Sequence, residues 1–254
     1  MVGAANIEGG VLIALSALKD LKVVEDEKFV EAGAGLNWHE LYSALVPYDL
    51  IVVGGRLKTI GTSGLTLGGG ISYFTSKYGF AMDNVLAYEI VTSSGDVLTA
   101  TATQNEDLFW ALKGGGNNFG VVTKFTFAAY KAPKVSTIFQ QHKEEIVSSY
   151  ITAIANYAIH HDTVDTGAGG IFVSGNKPSE STDPRSPKGV TLRFMGVQIG
   201  DTEKPEVFKN FTALPNVFSH YAVSTLAEYV APLDSEYQAG GYVFILVEMG
   251  CLLT

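Results

Sequence analysis

Glycine is the residue type whose spacing in this sequence most strongly suggests chemistry. The chain of 254 residues contains 28 glycines, which concentrate between Gly33 and Gly120. Each glycine costs backbone entropy on folding, so this concentration indicates either positive-φ turns or a close approach of backbone N–H groups to a ligand. The hydroxyls of Thr62 and Ser63 could donate to the same ligand. Because three such segments fall within about 70 residues, a ligand site is favoured; they are Gly54–Gly70 (GGRLKTIGTSGLTLGGG), Tyr78–Val85 (YGFAMDNV) and Asp107–Thr123 (DLFWALKGGGNNFGVVT).

Two familiar glycine-rich nucleotide motifs fit poorly. GGGNNFG is followed by Val121 and Val122, so the lysine and the hydroxyl residue of a phosphate-binding P-loop are missing. Gly33 and Gly35 begin like a dinucleotide-binding fingerprint, but Trp38 occupies the place of its third glycine. A bulky indole there blocks the close approach of helix and strand that this motif requires.

The residues that bind metals are scattered. Cys251 is the only cysteine, so the chain can form neither an internal disulfide nor a cysteine-based zinc site. His160 and His161 are adjacent on a predicted helix and therefore face different directions. The sequence predicts no metal site, and it favours surface or packing roles for all five histidines, His39, His142, His160, His161 and His220.

The first half of the chain alternates short strand-like and helix-like segments. Trp38–Leu45 reads as an amphipathic helix with Asn37 as its N-cap. Asn105 is predicted to cap a second helix that runs through Lys113. Predicted strands are Val11–Leu15, Phe29–Ala32, Leu50–Val53, Val85–Thr92, Val97–Thr101 and Val121–Tyr130, of which the fourth and fifth flank a Ser-Gly-Asp hairpin turn.

The character of the sequence changes near Pro133. We predict a domain boundary near Ala132–Val135, which gives domains 1–133 and 134–254. The second part is predicted to contain helices at Lys143–His161 and Lys204–Phe211, an exposed loop at Asn176–Lys188, and strands at Val190–Ile199, Val217–Leu226 and Tyr242–Met249.

Composition narrows the classes of function. Hydrophobic residues make up 46% and charged residues 17% of the chain, a balance that suits a buried globular core. The formal net charge of −9 and the absence of any cluster of Lys and Arg argue against nucleic-acid binding. The apolar run Tyr242–Met249 is too short to span a membrane. No secretion signal is recognisable at Met1.

The three glycine-rich segments resemble, in order and spacing, the FAD-binding domain of the vanillyl-alcohol-oxidase-like (PCMH-type) flavoproteins. The nearest group is the berberine-bridge-enzyme-like oxidases, especially fungal ones associated with secondary metabolism. The resemblance extends upstream through ANIEGGVLIAL, EAGAGLNWHELYSAL and the VVGGR turn, so it covers roughly Ala5–Tyr130. Val135–Thr254 is similar, more weakly, to the start of the same family's substrate domain.

This resemblance implies an α+β fold, in which a partial PCMH-type FAD-binding domain precedes a partial substrate domain built on an antiparallel sheet. It also implies FAD as cofactor and a small molecule as substrate. The residues it places at the cofactor are Gly61, Thr62, Gly64, Gly68, Gly69, Gly70, Gly79, Asp83, Val85, Gly120 and Val122.

The resemblance also implies that parts of the family's machinery lie outside this sequence. Relatives begin with a further subdomain that holds the pyrophosphate loop and a Gly-Gly-His segment, whose histidine bonds covalently to the flavin. Some carry a second covalent link from a cysteine near Arg56–Leu57, which this chain lacks. The expectation is therefore a chain truncated at both ends, with no assignable catalytic residue. Tyr73, Tyr78 and His39 have the chemistry to act as acids or bases, but structural roles are favoured for each of them.

Two functional hypotheses follow from these expectations. In the first, the protein is an FAD-linked oxidase that transfers hydride from its substrate to the flavin and then reduces O2. In the second, it is a truncated, non-catalytic relative that binds FAD weakly or not at all. Full-length relatives are often secreted, but the sequence itself assigns no compartment and no oligomeric state.

Overall fold

The computed structural model describes residues 7–26, 28–164, 166–176 and 190–233. Within these ranges the chain forms two antiparallel sheets with short helices between and upon them. The first sheet has the strand order β1-β2-β6-β4-β5, with β3 paired to the end of β6. Its strands are β1 (Leu21–Val24), β2 (Phe29–Gly33), β3 (Leu50–Val52), β4 (Val85–Val91), β5 (Val97–Thr101) and β6 (Val121–Lys131).

Strand β6 organises the first sheet because it pairs with β2, β4 and β3. Its apolar and polar residues alternate, and the apolar ones face inwards. Phe125 and Phe127 are fully buried and stack with ring centroids 5.4 Å apart. Trp38 packs against Phe127 from the helix that covers this face.

Four helices accompany the first sheet: α1 (Trp38–Leu45), α2 (Thr62–Leu67), α3 (Thr75–Tyr78) and α4 (Glu106–Leu112). The predicted N-cap of α1 is confirmed, because the Asn37 side chain accepts from the backbone of Glu40 while the Glu40 carboxylate accepts from the backbone of Asn37. The buried side of α1 carries Trp38 and Leu41, as its apolar spacing predicted.

The second sheet has the strand order β10-β7-β9-β8 and is antiparallel throughout. Phe172, Phe194 and Phe211 stack in a separate aromatic core between this sheet and its helices. The elements are β7 (Val135–His142), α5 (Val147–Val164), β8 (Ala168–Asn176), β9 (Val190–Ile199), α6 (Lys209–Thr212), β10 (Phe218–Ser224) and α7 (Leu226–Val230).

The opposite face of the second sheet packs on the first sheet's core. Val135, Met195 and Val197 belong to the same buried cluster as Trp38 and Phe127. Helix α7 packs against α1, so apolar contacts connect the two sheets. The boundary predicted near Ala132–Val135 falls between β6 and β7, and the division into domains stays a prediction.

Two predictions in the first half were wrong. Val11–Leu15 is not a strand: it pairs with no strand among the residues that the structure describes, and Val11 is 86% exposed. An apolar run without a partner strand has no ladder to hold it extended, and the first strand instead lies at Leu21–Val24. Asn105 does not cap α4, because its backbone is left-handed (φ 50°) and its side-chain amide donates to the Thr99 carbonyl.

The second half needed further corrections. The helix predicted at Lys204–Phe211 is a 3-10 turn, Glu206–Phe208, followed by α6. The strand predicted at Val217–Leu226 ends at Ser224, because Thr225 caps α7. Helix α5 and strand β9 were predicted. Most of the predicted loop (177–188), the predicted strand Tyr242–Met249 and Cys251 lie outside the described residues.

Candidate functional site: a glycine-lined surface

The three glycine-rich segments meet in space. The carbonyls of Gly69 and Gly70 accept hydrogen bonds from Met82 and Ala81, at 2.9 and 2.8 Å, which ties the first segment to the second. The third segment joins them because the Gly116 N–H donates to the Leu67 carbonyl at 3.0 Å.

The Met82 side chain lies where these segments meet. Its sulfur would lie 3.9 Å from a Cβ built on Gly69 and 3.4 Å from one built on Gly114. A thioether is flexible and adapts to irregular surroundings. Met82 was not among the predicted site residues, since its position between two glycine segments is a consequence of tertiary structure.

One side of α2 is formed by glycine alone. Gly61, Gly64 and Gly68 are all exposed, and their spacing of three and four residues places them on one face of the helix. We call these three residues the glycine face. Such a face carries no side chains, so a ligand can approach the helix backbone directly.

The geometry at Gly61 and Gly64 shows that the fold itself does not require glycine there. Gly61 has the ordinary extended conformation, φ −67° and ψ 142°. A Cβ added at Gly61 or Gly64 would meet no protein atom within 4 Å. Glycine in a helix interior costs roughly 0.5–1 kcal/mol relative to alanine. The open space beside these two residues therefore fits a cofactor that a side chain would exclude.

Other predicted glycines are needed by the fold. Gly70 (φ +78°) and Gly79 (φ +80°) adopt a backbone conformation that residues with a Cβ rarely adopt. A Cβ on Gly70 would lie 2.4 Å from the Leu65 side chain, and one on Gly79 would lie 2.7 Å from the Asp83 carboxylate. Gly120 (φ +145°) is similarly crowded, since its Cβ would lie 2.4 Å from the Val91 carbonyl oxygen.

The hydroxyls expected to reach a ligand are directed into the protein. Thr62 is fully buried, and its hydroxyl donates to the Leu36 carbonyl at 3.0 Å. The Ser63 hydroxyl donates to the Ala34 carbonyl. The prediction that these hydroxyls donate to the ligand is therefore wrong for this structure, because each hydroxyl hydrogen already has a protein acceptor. Together they hold α2 against the segment that precedes α1.

The second segment is fixed in shape by Asn84, whose role the sequence did not reveal. Its side-chain amide donates to the carbonyls of Tyr78 and Phe80, at 2.9 and 2.8 Å. Its amide oxygen accepts from the Tyr130 hydroxyl at 2.6 Å. The rings of Tyr78 and Tyr130 stack with centroids 3.9 Å apart. These contacts hold the segment in place beside the glycine face.

The remaining predicted site residues have structural partners. The Asp83 carboxylate accepts from the Phe80 N–H at 2.8 Å and is exposed. Val85 and Val122 are 2% and 3% exposed and contribute side chains to the first core. Any contact of these two residues with a cofactor would therefore come from their backbone, and their role at the cofactor stays a prediction.

Three tyrosines that could act as acids or bases, Tyr42, Tyr73 and Tyr130, lie close to these segments. Tyr73 is 3% exposed, and its hydroxyl lies 3.4 Å from the Tyr229 hydroxyl. Burial raises the pKa of Tyr42, whose hydroxyl donates to the Gly55 carbonyl, and the nearby Tyr73 raises it further. Burial also raises the pKa of Tyr130. Tyr42 and Tyr130 are therefore protonated at neutral pH, and the geometry assigns none of the three tyrosines as an acid or base.

Among the described residues there is neither a metal-binding cluster nor a membrane-spanning helix. No group of three or more His, Cys, Asp or Glu side chains there could hold a metal ion. No helix there has the length and apolar character needed to cross a bilayer.

Comparison with known proteins identifies the family of the chain and the cofactor of that family. Residues 1–101 match the family model described as an FAD binding domain. The FAD-dependent monooxygenase prx3 of Penicillium roqueforti is 37% identical over 227 residues. The chain belongs to the FAD-linked oxidoreductases. The predicted cofactor of the family, FAD, is confirmed by this domain.

Solved structures of the family share the fold. The VAO-type flavoprotein MtVAO615 from Myceliophthora thermophila superposes with a TM-score of 0.66 at 28% identity, over 86% of this chain and 42% of that one. Berberine-bridge-enzyme-like 1 of Physcomitrella patens gives a TM-score of 0.67 at 23% identity, over 82% and 43% of the two chains. The predicted α+β flavin fold and the resemblance to these groups are confirmed.

The chain covers only part of these relatives. The match to prx3 takes in 87% of this chain but 42% of the relative's length. The activity of a whole family member is therefore a matter for proposal.

Proposed function

We propose that this protein is an FAD-dependent oxidoreductase that removes a hydride from a small organic molecule of the secondary-metabolite type, with O2 as the final acceptor. The observation that carries the proposal is the glycine face of α2. Gly64 lies inside α2 with open space beside it, and glycine there has no role in the fold, so it supports a bound ligand. Gly61 is the N-cap of α2, where glycine is also tolerated, and it leaves the same space open.

Bound FAD would supply the redox chemistry by accepting a hydride and passing two electrons to O2, which yields hydrogen peroxide. The protein's own residues have simpler tasks. Gly61, Gly64 and Gly68 would let the cofactor lie against the backbone of α2. Gly69 and Gly114 would complete the surface on either side of Met82. The hydrogen bonds of Asn84 would keep the second segment fixed when the cofactor binds.

The remaining predicted contacts belong to the same proposal. Gly70, Gly79 and Gly120 would shape the turns around the cofactor, and Thr62, Asp83, Val85 and Val122 would contribute backbone groups. Interaction with nucleic acid is disfavoured by the net charge of −9. The substrate would be a small molecule, as the family resemblance implies.

The visible absorption spectrum of the purified protein tests this proposal. We expect that titration with FAD gives a yellow protein with near-stoichiometric flavin bands that remain after gel filtration. A protein that stays colourless in excess FAD would contradict it and support the second hypothesis, a relative that does not bind the cofactor. Hydrogen peroxide released upon addition of a substrate would test the identity of the acceptor.

A further inference from the structure

A cavity of about 390 Å³ lies on the second sheet, away from the glycine face residues. Strands β7 and β10 and the end of α7 form its walls. The volume falls within the range of roughly 300–1,000 Å³ that small-molecule sites occupy. It opens on the sheet face that also carries Val135, Met195 and Val197, the residues that pack against the first sheet.

Strand pairing explains which side chains reach this cavity. Phe139 on β7 is directly opposite His220 on β10, and Thr137 is opposite Ala222. Alternate residues of a strand share a face, so Phe218 joins His220 on the same side. The rings of Phe139 and Phe218 meet edge to face, with centroids 5.9 Å apart. Two aromatic rings thus form one wall of the cavity, and flat apolar rings pack well against such walls.

The polar groups in the cavity are available to a ligand mainly as hydrogen-bond acceptors. The Thr137 and Ser224 hydroxyls donate to the carbonyls of Ala222 and Thr225, so only their oxygens remain available to a ligand. The Glu228 carboxylate at the rim accepts from Thr225. His220 makes no hydrogen bond within the part of the chain that the structure describes, and a neutral imidazole has one acceptor nitrogen.

The charges exclude one class of ligand. No Lys or Arg occurs among the described residues that line the cavity, while Glu228 places a negative charge at its rim. Lys134 lies close enough to lower the pKa of Glu228, after the larger effect of the hydrogen bonds from Thr225, but it does not line the cavity. Inside the cavity itself a carboxylate or phosphate ligand would therefore find no described Lys or Arg side chain to pair with.

We propose that this cavity binds a flat apolar ring compound that carries a hydrogen-bond donor. His220 accepts a hydrogen bond from that donor, and the compound is the substrate of the protein. The cavity is connected to the first glycine segment through Tyr229, which lines it and whose hydroxyl lies 3.4 Å from that of Tyr73, three residues after Gly70. The identification of this compound as the substrate rests on the proposed function. Its binding to the cavity does not require FAD.

Three naphthalene probes test the proposal with the full chain in the absence of flavin, by ligand-observed NMR titration. 2-Naphthol has the donor, 2-methoxynaphthalene lacks it, and 2-naphthoate is an anion. We expect wild-type protein to prefer 2-naphthol over the methoxy compound by about fivefold, which corresponds to one hydrogen bond. We expect 2-naphthoate to bind more weakly than either.

Variants then separate the aromatic wall from His220. His220→Phe should abolish the preference between naphthol and the methoxy compound, whereas Phe139→Ala should weaken both ligands equally. Ser219→Ala is the matched control, because Ser219 is exposed on the opposite face of β10. His220→Gln keeps a hydrogen-bonding side chain and should retain part of the preference for 2-naphthol. This variant separates the loss of the hydrogen bond from a misfolding of His220→Phe.

Two results would overturn the proposal. One is an unchanged preference in His220→Phe with an unchanged circular dichroism spectrum. The other is binding of 2-naphthoate as tight as that of 2-naphthol. If the protein binds no FAD in the titration but binds the naphthalene probes as expected, the proposed function is refuted. The cavity would then still stand as a binding site.

Discussion

Two parts of one glycine-rich stretch use the same residue type for opposite reasons. At the glycine face of α2, Gly61 and Gly64 have ordinary backbone conformations and no protein atom within 4 Å of an added Cβ. In the turns that follow, Gly70 and Gly79 have positive φ angles and crowded surroundings. The first pair leaves room for a ligand, and Gly64, which lies inside the helix, also costs the fold stability. The second pair is required by the fold.

The difference shows that the density of glycine in a sequence does not by itself locate a ligand. The two groups lie within twenty residues of each other and were predicted together as cofactor contacts. Only the three-dimensional surroundings separate them. Substitution by alanine should therefore have opposite effects on stability in the two regions.

The largest effect is expected at Gly70. Gly70→Ala places a Cβ 2.4 Å from the Leu65 side chain and 2.7 Å from that of Ala81, at a φ of +78°. We expect the free energy of unfolding to fall by about 3 kcal/mol, from strain and overpacking together. Urea denaturation measures this change.

Gly68→Ala is the control for that substitution. Its φ is −92°, and its Cβ would lie 3.3 Å from the nearest protein atom, the Gly64 carbonyl oxygen. Its effect should stay below about 1 kcal/mol. Equal losses in the free energy of unfolding for Gly70→Ala and Gly68→Ala would contradict the distinction between a crowded turn and an open face.

The next effect concerns the hydrogen bonds that fix the turn region. Asn84→Ala removes three hydrogen bonds and leaves the carbonyls of Tyr78 and Phe80 without that partner. We expect a loss of about 2–3 kcal/mol in urea denaturation. Tyr130→Phe removes only one of the three bonds and should cost about 1 kcal/mol. A larger loss for Tyr130→Phe than for Asn84→Ala would contradict the role given to Asn84.

A gain in stability is expected on the open face. Gly64→Ala adds a methyl group to a helix where it meets no protein atom, and it reduces the entropy of the unfolded chain. We expect the free energy of unfolding to rise by about 0.5–1 kcal/mol in the absence of FAD. A loss of stability would show that Gly64 is needed by the fold, like Gly70.

The smallest effect concerns pH at the border of the glycine face. Asn37 forms an isolated β-bridge with Gly61, and Glu40 completes the cap of α1 there. Hydrogen bonds from Lys19 and from the Asn37 backbone lower the pKa of Glu40. A carboxyl group with a lowered folded-state pKa contributes stability above its unfolded value, near pH 4.3, and loses it as the pH falls through the folded value.

The Glu40 side chain is 34% exposed, and solvent screening of such a pair should keep this contribution below about 0.5 kcal/mol. Urea denaturation at pH 7 and pH 3 should show a smaller loss for Glu40→Gln than for the wild type. The difference should shrink in high salt, which screens the pair of Lys19 and Glu40. Identical losses in both proteins would show that the cap does not depend on the charge of Glu40.

Local patterns in the sequence predicted several elements well. Helix α1 was predicted from its apolar spacing and from Asn37, because both signals are local. Strand β6 was predicted from alternation over Val121–Tyr130, and it extends one residue further, to Lys131. The family resemblance predicted the fold and FAD, since the glycine segments keep their order and spacing.

Features that depend on distant contacts were not predicted. Helix α2 has the sequence TSGLTL, which contains few strong helix formers, and it is held by the hydroxyls of Thr62 and Ser63 on the chain before α1. Val11–Leu15 has the composition of a strand but finds no partner. The cavity at Phe139 and His220 arises from pairing between strands nearly eighty residues apart, which no local pattern contains.

FAD titration of Gly64→Ala beside the wild type shows whether the glycine face holds the cofactor. We predict that the variant binds FAD at least several-fold more weakly although its apoprotein is more stable, because the added methyl group fills space left for the cofactor. Ser63→Ala should bind FAD like the wild type, since its hydroxyl donates to the Ala34 carbonyl and not to the ligand. Equal affinity of Gly64→Ala and wild type, or no binding by either, would contradict the account of the glycine face as the cofactor surface.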